Sequence, residues 1–278
     1  MERLLSYLAG FPELVRFYRT ARTRLGRFRR RLYLGVCAYC NPMLRAYFRL
    51  AGDFETSLRD RTLDAYSKNC SNFVVLQVGA NDGFSRDPVH KFIVRDRWSG
   101  ILVEPQPMVF EQELKQTYRA HSNIHLVNAA VDEVSGSKEF YRIAFSQDRW
   151  ATGLSSLSRS ALEKQIRDGW VGSQSEIHGQ KVPEEFADQV ESVLVPTVTF
   201  EQLLDGYDLE RLDLLQLDCE GYDFELLKAF PFNRVLPSFI NFEALHMSES
   251  ERREILALLE GLNYSCNREG LDIFCELS

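Results

Sequence analysis

The chain of 278 residues is long enough for one large α/β domain with a smaller appendage. Its 45% hydrophobic and 26% charged residues are the balance of an ordinary globular protein, and no apolar run is long enough to cross a bilayer. Residues 1–49 contain eleven Arg, no Lys and two acidic residues, a net charge of +9, so residues 50–278 carry −16 within the total of −7. A main part this acidic excludes nucleic acid as an expected partner.

The N-terminal segment is predicted to be helical and basic. Apolar residues recur at roughly helical spacing over residues 4–18, and an arginine-rich run follows over 22–31. Such a helix suits an anionic membrane surface, and it equally suits packing on the main domain or on a second subunit. We therefore predict an Arg-rich helical N-terminal extension over residues 1–70. Peripheral membrane contact through residues 1–49 is one interpretation, and the oligomeric state stays open.

The six cysteines show no spacing typical of a disulfide framework. They are Cys37, Cys40, Cys70, Cys219, Cys266 and Cys275. Because no cleavable signal peptide is evident, the sequence favours reduced thiols and a cytoplasmic protein that could associate with a membrane through its basic segment. Cys37 and Cys40 form one C-x-x-C pair without a second Cys or His pair at zinc spacing, which favours two neighbours on one helix face over a metal site.

A cofactor site is predicted in the stretch 73–104. An apolar run over 73–78 has the length of a buried strand and ends in the turn Gly79-Ala80-Asn81-Asp82-Gly83. A helical segment then leads to a second apolar run over 101–103, followed by Glu104. Glu104 lies 21 residues beyond Gly83, close to the spacing at which an acid at a second strand tip reaches a ribose. The pattern predicts a nucleoside-containing cofactor.

The composition of this turn favours S-adenosylmethionine (SAM) over a dinucleotide. A dinucleotide turn needs G-x-G-x-x-G, whereas Asn81 stands in place of the middle glycine and the pattern here is G-x-x-x-G. SAM has no phosphate and carries a cationic sulfonium and an amino group, which Asp82 and the turn carbonyls would suit. Since glycine is common after any parallel strand, the interpretation depends on Glu104 as well as on the turn.

Strands and helices alternate along the rest of the main part, residues 71–278. Strands are predicted at 124–127, 140–145, 193–198, 212–217 and 238–242, helices at 107–119, 200–204, 222–230 and 248–259, and a closing hairpin at 264–266 and 272–276. This alternation predicts a mainly parallel sheet with helices on both faces and an antiparallel C-terminal strand. The polar segment 146–191 shows little periodicity, and its length is typical of a substrate lid or a disordered insert.

Acidic residues follow the ends of several predicted strands, where parallel sheets bind ligands. Asp218 and Glu220 follow one strand, Glu243 and His246 follow the next, and Glu104 follows an earlier one. Four carboxylates at one rim are costly unless a ligand, a cation or protons compensate their charge. Asp218, Glu220, Glu243 and His246 could hold Mg²⁺, or His246 could act as a general base. The alternative is that these acids cap helices or stay solvated.

The same segments resemble the FkbM family of methyltransferases. The likeness lies in VGANDG (78–83), LVEPQP (102–107), NAAVDEVSG (128–136), GLSSL (153–157), VPTVTFEQLL (195–204), LLQLDCEGYDFELLKAF (214–230) and FINFEALH (239–246). It covers about residues 73–274, and the D-x-E-G motif followed by a helix is its most specific part. FkbM proteins are class I SAM-dependent methyltransferases that mostly act on hydroxyl groups.

The resemblance implies a Rossmann-like class I fold with a seven-stranded sheet and a set of cofactor-binding residues. These are Gly79, Ala80, Asn81, Asp82, Gly83, Glu104, Pro105, Asn128, Ala129 and Asp218. Glu104 would bind the ribose, Asn128 and Ala129 would lie near the adenine, and Asp218 with Glu220 would border the methyl-transfer site. One position departs from the family, which usually has an acid where this chain has Gln77. Asp82 or Asp218 would then anchor the methionine amino group.

From these observations we expect SAM-dependent methylation of a hydroxyl on a small molecule, a sugar or a lipid-linked glycan. His246, Asp218, Glu220 and Glu243 are the expected catalytic residues, with His246 or a carboxylate as the base. Two other hypotheses remain at this point. One is an NAD-dependent enzyme on a similar sheet, and the other is a non-catalytic or degenerate adaptor that acts through its basic N-terminus.

Overall fold

The N-terminal part of the chain is helical. The computed structural model describes residues 12–50 and 57–278, with the backbone alone at positions 12–24 and 27, so the expectation for residues 1–11 lies outside it. Helices α1 (Pro12–Tyr39) and α2 (Asn41–Leu50) form a hairpin, and α3 (Leu58–Asn69) leads into the sheet. Cys37 and Leu44 of the hairpin pack on Val94 of the main part. Within the described residues, no helix has both the length and the apolarity to cross a membrane.

A seven-stranded sheet forms the centre of the protein. In the part of the chain that the structure describes, the ten strands are β1 Val74–Val78, β2 Ser99–Val103, β3 Ile124–Val127, β4 Ala130–Val131, β5 Gly136–Ile143, β6 Val190–Val198, β7 Leu214–Leu217, β8 Phe239–Glu243, β9 Tyr264–Glu269 and β10 Asp272–Leu277. The main sheet has the order β3-β2-β1-β7-β8-β10-β9. Strands β3, β2, β1, β7 and β8 are parallel, and β10 is antiparallel to both of its neighbours. The predicted mainly parallel sheet with an antiparallel C-terminal strand is confirmed.

Helices cover both faces of this sheet. They are α4 His90–Asp96, α5 Pro107–Val109, α6 Lys115–Thr117, α7 Arg149–Thr152, α8 Arg159–Arg167, α9 Trp170–His178, α10 Phe200–Gly206, α11 Asp223–Ala229 and α12 Glu249–Gly261. A π-helical turn, Phe110–Leu114, joins α5 to α6. Side chains of α10, α11 and α12 form a core against one face, and side chains of α3 and α4 form a core against the other. The central strands are continuous apolar runs because both of their faces are buried.

Two predicted strands leave the main sheet. The strands predicted at 140–145 and 193–198 belong to β5 and β6, and β6 pairs with both β5 and the short β4 in a separate three-stranded sheet. The segment 146–191 between them contains α7, α8 and α9. Leu154, Leu162 and Val171 form a small core there with Ile143. These apolar residues lie far apart in the sequence, so no periodic pattern revealed them.

The expectation of reduced thiols is wrong for one pair of cysteines. Cys266 and Cys275 lie directly opposite each other in the hairpin of β9 and β10 and are joined as a disulfide. Gly270 and Leu271 form the two-residue turn that sets this register. Spacing in the sequence did not reveal the pair, because the pairing depends on where the hairpin turns. Cys37, Cys40, Cys70 and Cys219 are free thiols.

Asp213 is expected to stabilise the N-terminal ends of the two central strands, β1 and β7. It is fully buried and accepts hydrogen bonds from the Val74 amide (2.8 Å) and the Tyr66 hydroxyl (3.2 Å). Replacing Asp213 by Ala should lower the free energy of unfolding by about 3 kcal/mol, because the buried donors lose their acceptor. Urea denaturation measures the change. The control is Asp205→Ala, whose exposed carboxylate pairs with Arg234 at the surface and should cost less than about 1 kcal/mol.

Candidate active site

The turn after β1 requires both of its glycines. Gly79 has a φ of +84°, and a Cβ atom there would lie 1.9 Å from the Asp218 carbonyl oxygen. Gly83 has a φ of +73°, and its Cβ would lie 2.5 Å from the ring of Tyr118. The turn therefore packs directly on the tip of β7 and on the helix that follows β2. No other residue type allows this approach at Gly79, because the obstacle is backbone.

Glu104 joins this turn to the tip of β2. Its side chain is buried and accepts hydrogen bonds from the Asn81 amide (2.8 Å) and the Gln106 amide (2.8 Å). Burial raises the pKa of the Glu104 carboxyl to about 7, although these hydrogen bonds favour its charged form. Both oxygens therefore face donors, and the carboxyl can exchange a proton near neutral pH.

The predicted adenine residues hold backbone in place. The Asn128 side-chain amide donates to the carbonyl groups of Glu104 (2.8 Å) and Pro105 (3.2 Å), and Ala129 is buried. Neither residue lines the cavity next to Glu104. That cavity has a volume of about 60 Å³ and contains Gly79, Asn81, Glu104, Pro105, Asp218, Ala130, Val131, Phe140, Arg149, Thr152 and Leu226 in its wall. We call it the narrow cavity.

Asp82 is already paired with arginines. Its Oδ1 accepts from the Ser85 amide (2.9 Å), and its Oδ2 lies 2.9 Å from Nη2 of Arg30 and 3.8 Å from Nε of Arg149. Arg30 also pairs with Glu113. Arg30 belongs to α1 and Arg149 to α7, so sequence reasoning about strand tips had no means of finding either. The carboxylate of Asp82 is thus neutralised by residues far from it in the sequence.

A second, larger cavity lies over the tips of β7 and β8. It has a volume of about 1490 Å³, and Asp218, Glu220, Glu243 and His246 all line it. We call it the wide cavity. Nε2 of His246 lies 3.4 Å from Oε2 of Glu220 and 3.7 Å from Oε2 of Glu243. Nε2 of Gln165, on α8, lies 3.1 Å from Oε2 of Glu220 and 3.3 Å from Nε2 of His246, so segment 146–191 reaches the tips.

Three of the four predicted metal ligands form a group. Ligand atoms of Glu220, Glu243 and His246 lie within 4.8 Å of one another, and Asp218 is not among them. Two residues apart in an extended strand, Asp218 and Glu220 would share one face of the sheet. Glu220 instead has a φ of +50° and Gly221 a φ of +94°, so the chain turns between them. Asp218 and Glu220 both lie at the junction of the narrow and wide cavities, where each lines both.

Carboxyl groups at this rim hold protons more tightly than usual. Burial, and then the charges of Glu220 and Asp218, raise the pKa of Glu243 to about 10. The Asp218 side chain is exposed to the two cavities but is otherwise surrounded by protein. Desolvation by this protein, followed by the charge of Glu220, raises the pKa of the Asp218 carboxyl as well. Burial and Glu220 raise the pKa of Asp223 to about 7. A bound cation would reverse these shifts because it favours the ionised carboxylates.

Comparison with protein families decides where the chain belongs. The sequence model described as the methyltransferase FkbM domain matches residues 77–266, which is 190 of the 278 residues. The chain belongs to the FkbM methyltransferase family. Its Rossmann-like class I fold agrees with this membership, and the predicted resemblance is confirmed.

Other comparisons add little to the FkbM match. Among solved structures, the chain is similar to precorrin-6y C5,15-methyltransferase from Geobacter metallireducens GS-15, with 12% identity and a TM-score of 0.36 over 81% of this chain and 92% of that one. A likeness this weak supports no inference about function. A search of curated proteins found no match.

The contact between the two strand tips yields a stability prediction. Replacing Gly79 by Ala should lower the free energy of unfolding by roughly 3 kcal/mol or more, because the new Cβ meets the Asp218 carbonyl and the backbone conformation is strained. Gly261→Ala is the matched control, since a Cβ there meets nothing within 4 Å. That variant should stay within about 1 kcal/mol of the wild type. Chemical denaturation compares the two, and equal stabilities would contradict the prediction.

Proposed function

We propose that this FkbM protein is a SAM-dependent O-methyltransferase, which transfers the methyl group of SAM to a hydroxyl of its acceptor. The junction of the two cavities is the observation that supports this best. Arg149, Gly153, Asp218 and Glu220 line both cavities. A donor held in the narrow cavity would present its methyl group at this junction, and an acceptor in the wide cavity would meet it close to His246.

The residues of the narrow cavity suit SAM. Glu104 would accept hydrogen bonds from the ribose hydroxyls, while Val131, Phe140 and Leu226 offer apolar surface to the adenine. SAM supplies a methyl group on a cationic sulfur. Asp218 at the junction would face that charge, and its ionised form would then be favoured. The acids that are costly without a ligand thereby gain a compensating cation.

Cofactor entry would require segment 146–191 to move. A volume of about 60 Å³ is too small for a nucleoside, and Arg149, Thr152 and Gly153 of the segment form one wall. We infer that α7 moves outward when SAM enters and then returns to cover it, so the segment predicted as a substrate lid would also cover the cofactor. Such closure would keep water away from the transferring methyl group.

His246 would take the proton of the acceptor hydroxyl. The new bond joins the acceptor oxygen to the methyl carbon as the carbon–sulfur bond breaks, and the hydroxyl proton goes to Nε2 of His246. Glu220, whose Oε2 lies 3.4 Å from this nitrogen, would stabilise the resulting imidazolium. Glu243 would remain protonated at neutral pH, because burial and neighbouring acids raise its pKa to about 10.

A divalent metal is the alternative way to activate the hydroxyl. Glu220, Glu243 and His246 would hold the ion, and the ion would lower the pKa of a bound hydroxyl. Two carboxylates with one imidazole suit Mg²⁺ less well than an all-oxygen set would. If His246 is the base, treatment with EDTA followed by dialysis should leave methyl transfer unchanged. Loss of transfer that added Mg²⁺ or Mn²⁺ restores would favour the metal.

Binding of the cofactor product should depend on pH through Glu104. Since its pKa is about 7 in the free protein and ribose hydroxyls favour the ionised form, binding releases a proton below pH 7. S-adenosylhomocysteine should therefore bind roughly tenfold more weakly at pH 6 than at pH 8, as one pKa unit corresponds to a factor of ten. Isothermal titration calorimetry measures both affinities.

Two variants sharpen this measurement. Glu104→Gln should bind S-adenosylhomocysteine more weakly and lose most of the pH dependence, while the exposed Glu111→Gln should match the wild type. Tighter binding of NAD than of S-adenosylhomocysteine would instead favour the dehydrogenase hypothesis. Binding of neither compound would favour a non-catalytic adaptor.

Removing the proposed base should separate binding from chemistry. His246→Ala should retain affinity for S-adenosylhomocysteine while methyl transfer falls by roughly 10²- to 10⁴-fold, the usual contribution of a general base. Transfer is measured with labelled SAM and a cytoplasmic extract of the host, and mass spectrometry identifies the methylated product. The control is His125→Ala, an exposed histidine on β3. Full activity of His246→Ala would exclude it as the base.

A further inference from the structure

The outer face of α1 carries an apolar stripe. Leu25, Phe28, Leu32 and Tyr39 are spaced by three, four and seven residues, so they lie on one side of the helix. All four side chains are more than half exposed. Monomeric proteins rarely leave a row of large apolar side chains in water without a partner for it.

The second helix of the hairpin carries a similar exposed stripe. Met43, Tyr47 and Leu50 of α2 are again spaced by four and three residues and are exposed. Together the seven side chains of α1 and α2 are between 57% and 87% exposed. The remaining large apolar side chains that the structure exposes, such as Val134 and Leu194, lie on separate elements. We call the seven residues the outer stripe.

The opposite face of the hairpin is fully used by the main part. Cys37 and Leu44 pack on Val94, the Tyr33 hydroxyl lies 2.9 Å from Nε2 of His90, and Arg30 pairs with Asp82. The hairpin is therefore held in one orientation by apolar, hydrogen-bonding and ionic contacts. The exposed side chains of the outer stripe lie outside these contacts, although the Tyr39 hydroxyl accepts a hydrogen bond from Arg119 (3.0 Å).

Charge identifies the kind of partner. Residues 12–50 contain ten Arg and one acid, Glu13. Arg29, Arg31 and Arg49 are exposed beside the stripe. An apolar helix face flanked by arginine is typical of helices that lie in the interface of an anionic membrane. We propose that the outer stripe docks this protein on an anionic lipid bilayer, with α1 and α2 lying in the headgroup region.

A second copy of the chain is a poorer partner for this surface. Pairing two outer stripes would bring two segments of net charge +9 together, and like charges across an interface oppose association. The acidic main part would be repelled by the same lipids and would face away from the bilayer. Gly26 and Arg30 of α1 also line the wide cavity, so an acceptor could enter it from beside the membrane. The docking proposal does not depend on which reaction the protein catalyses.

Vesicle sedimentation with the full chain tests the proposal. Wild-type protein should bind vesicles of phosphatidylcholine with 30 mol% phosphatidylglycerol, and binding to pure phosphatidylcholine should be at least about tenfold weaker, since each arginine near an anionic surface contributes roughly fivefold. Raising the salt concentration should weaken the binding to anionic vesicles. Equal binding to both vesicle types, or binding to neither, would overturn the proposal.

Two substitution sets locate the surface. The triple variant Leu25→Ser, Phe28→Ser, Leu32→Ser should lose at least about tenfold in vesicle binding, because it removes apolar area from the interface. Val134→Ser with Leu194→Ser removes exposed apolar side chains elsewhere and should bind as the wild type does. Equal loss in both sets would contradict the proposal. The melting temperature of each variant checks that the fold is intact.

A spectroscopic measurement on an otherwise unchanged chain gives a test that does not depend on a loss of binding, which misfolding could also cause. Phe28→Trp should gain tryptophan fluorescence that doxyl-labelled lipids quench in anionic vesicles, beyond the quenching of the three native tryptophans. Absence of this additional quenching would overturn the docking. Light scattering after size-exclusion chromatography tests whether a second copy of the chain covers the outer stripe instead. A dimer that the triple variant dissociates would assign the stripe to a second copy.

Discussion

The structure depends on one close approach, that of the turn after β1 to the tip of β7. Gly79 lies so near the Asp218 carbonyl that a Cβ would stand only 1.9 Å from it. Strand β1 is the point where the sheet changes direction, since the chain runs to β2 and β3 on one side and to β7 and β8 on the other. Crevices at such switch points are where open α/β sheets bind ligands. The contact at Gly79 brings the two halves of the crevice together.

Electrostatics then distinguish the two halves. On the β2 side, Glu104 is a single carboxyl surrounded by amide donors. On the β7 and β8 side, Asp218, Glu220 and Glu243 lie close together, and burial with mutual repulsion makes Asp218 and Glu243 retain their protons, while His246 contacts Glu220 and Glu243. A cationic donor placed between the halves would relieve that repulsion. The same arrangement would then both bind the cofactor and place a base next to it.

Segments outside the main sheet complete the site. Arg30 comes from α1, which precedes the family match, and Arg149 comes from α7 in the segment 146–191, yet both pair with Asp82 in the turn after β1. Gln165 on α8 reaches Glu220 and His246. The two faces of the N-terminal hairpin therefore differ. One face contacts the turn after β1 through Arg30, and the other carries the exposed apolar stripe.

Local patterns in the sequence determined the sheet, the glycine turn and the acids at the strand tips, because strand periodicity and turn chemistry act over a few residues. The family motifs at 78–83 and 214–230 were readable for the same reason. Contacts between distant segments were not readable: Arg30 on Asp82, the narrow-cavity wall of Val131 and Phe140, and the Cys266–Cys275 disulfide all depend on how elements pack. The grouping of Glu220, Glu243 and His246 without Asp218 depended on two positive φ angles. Only the tertiary structure decided these features, since packing and hairpin register bring together residues whose separation along the chain contains no signal.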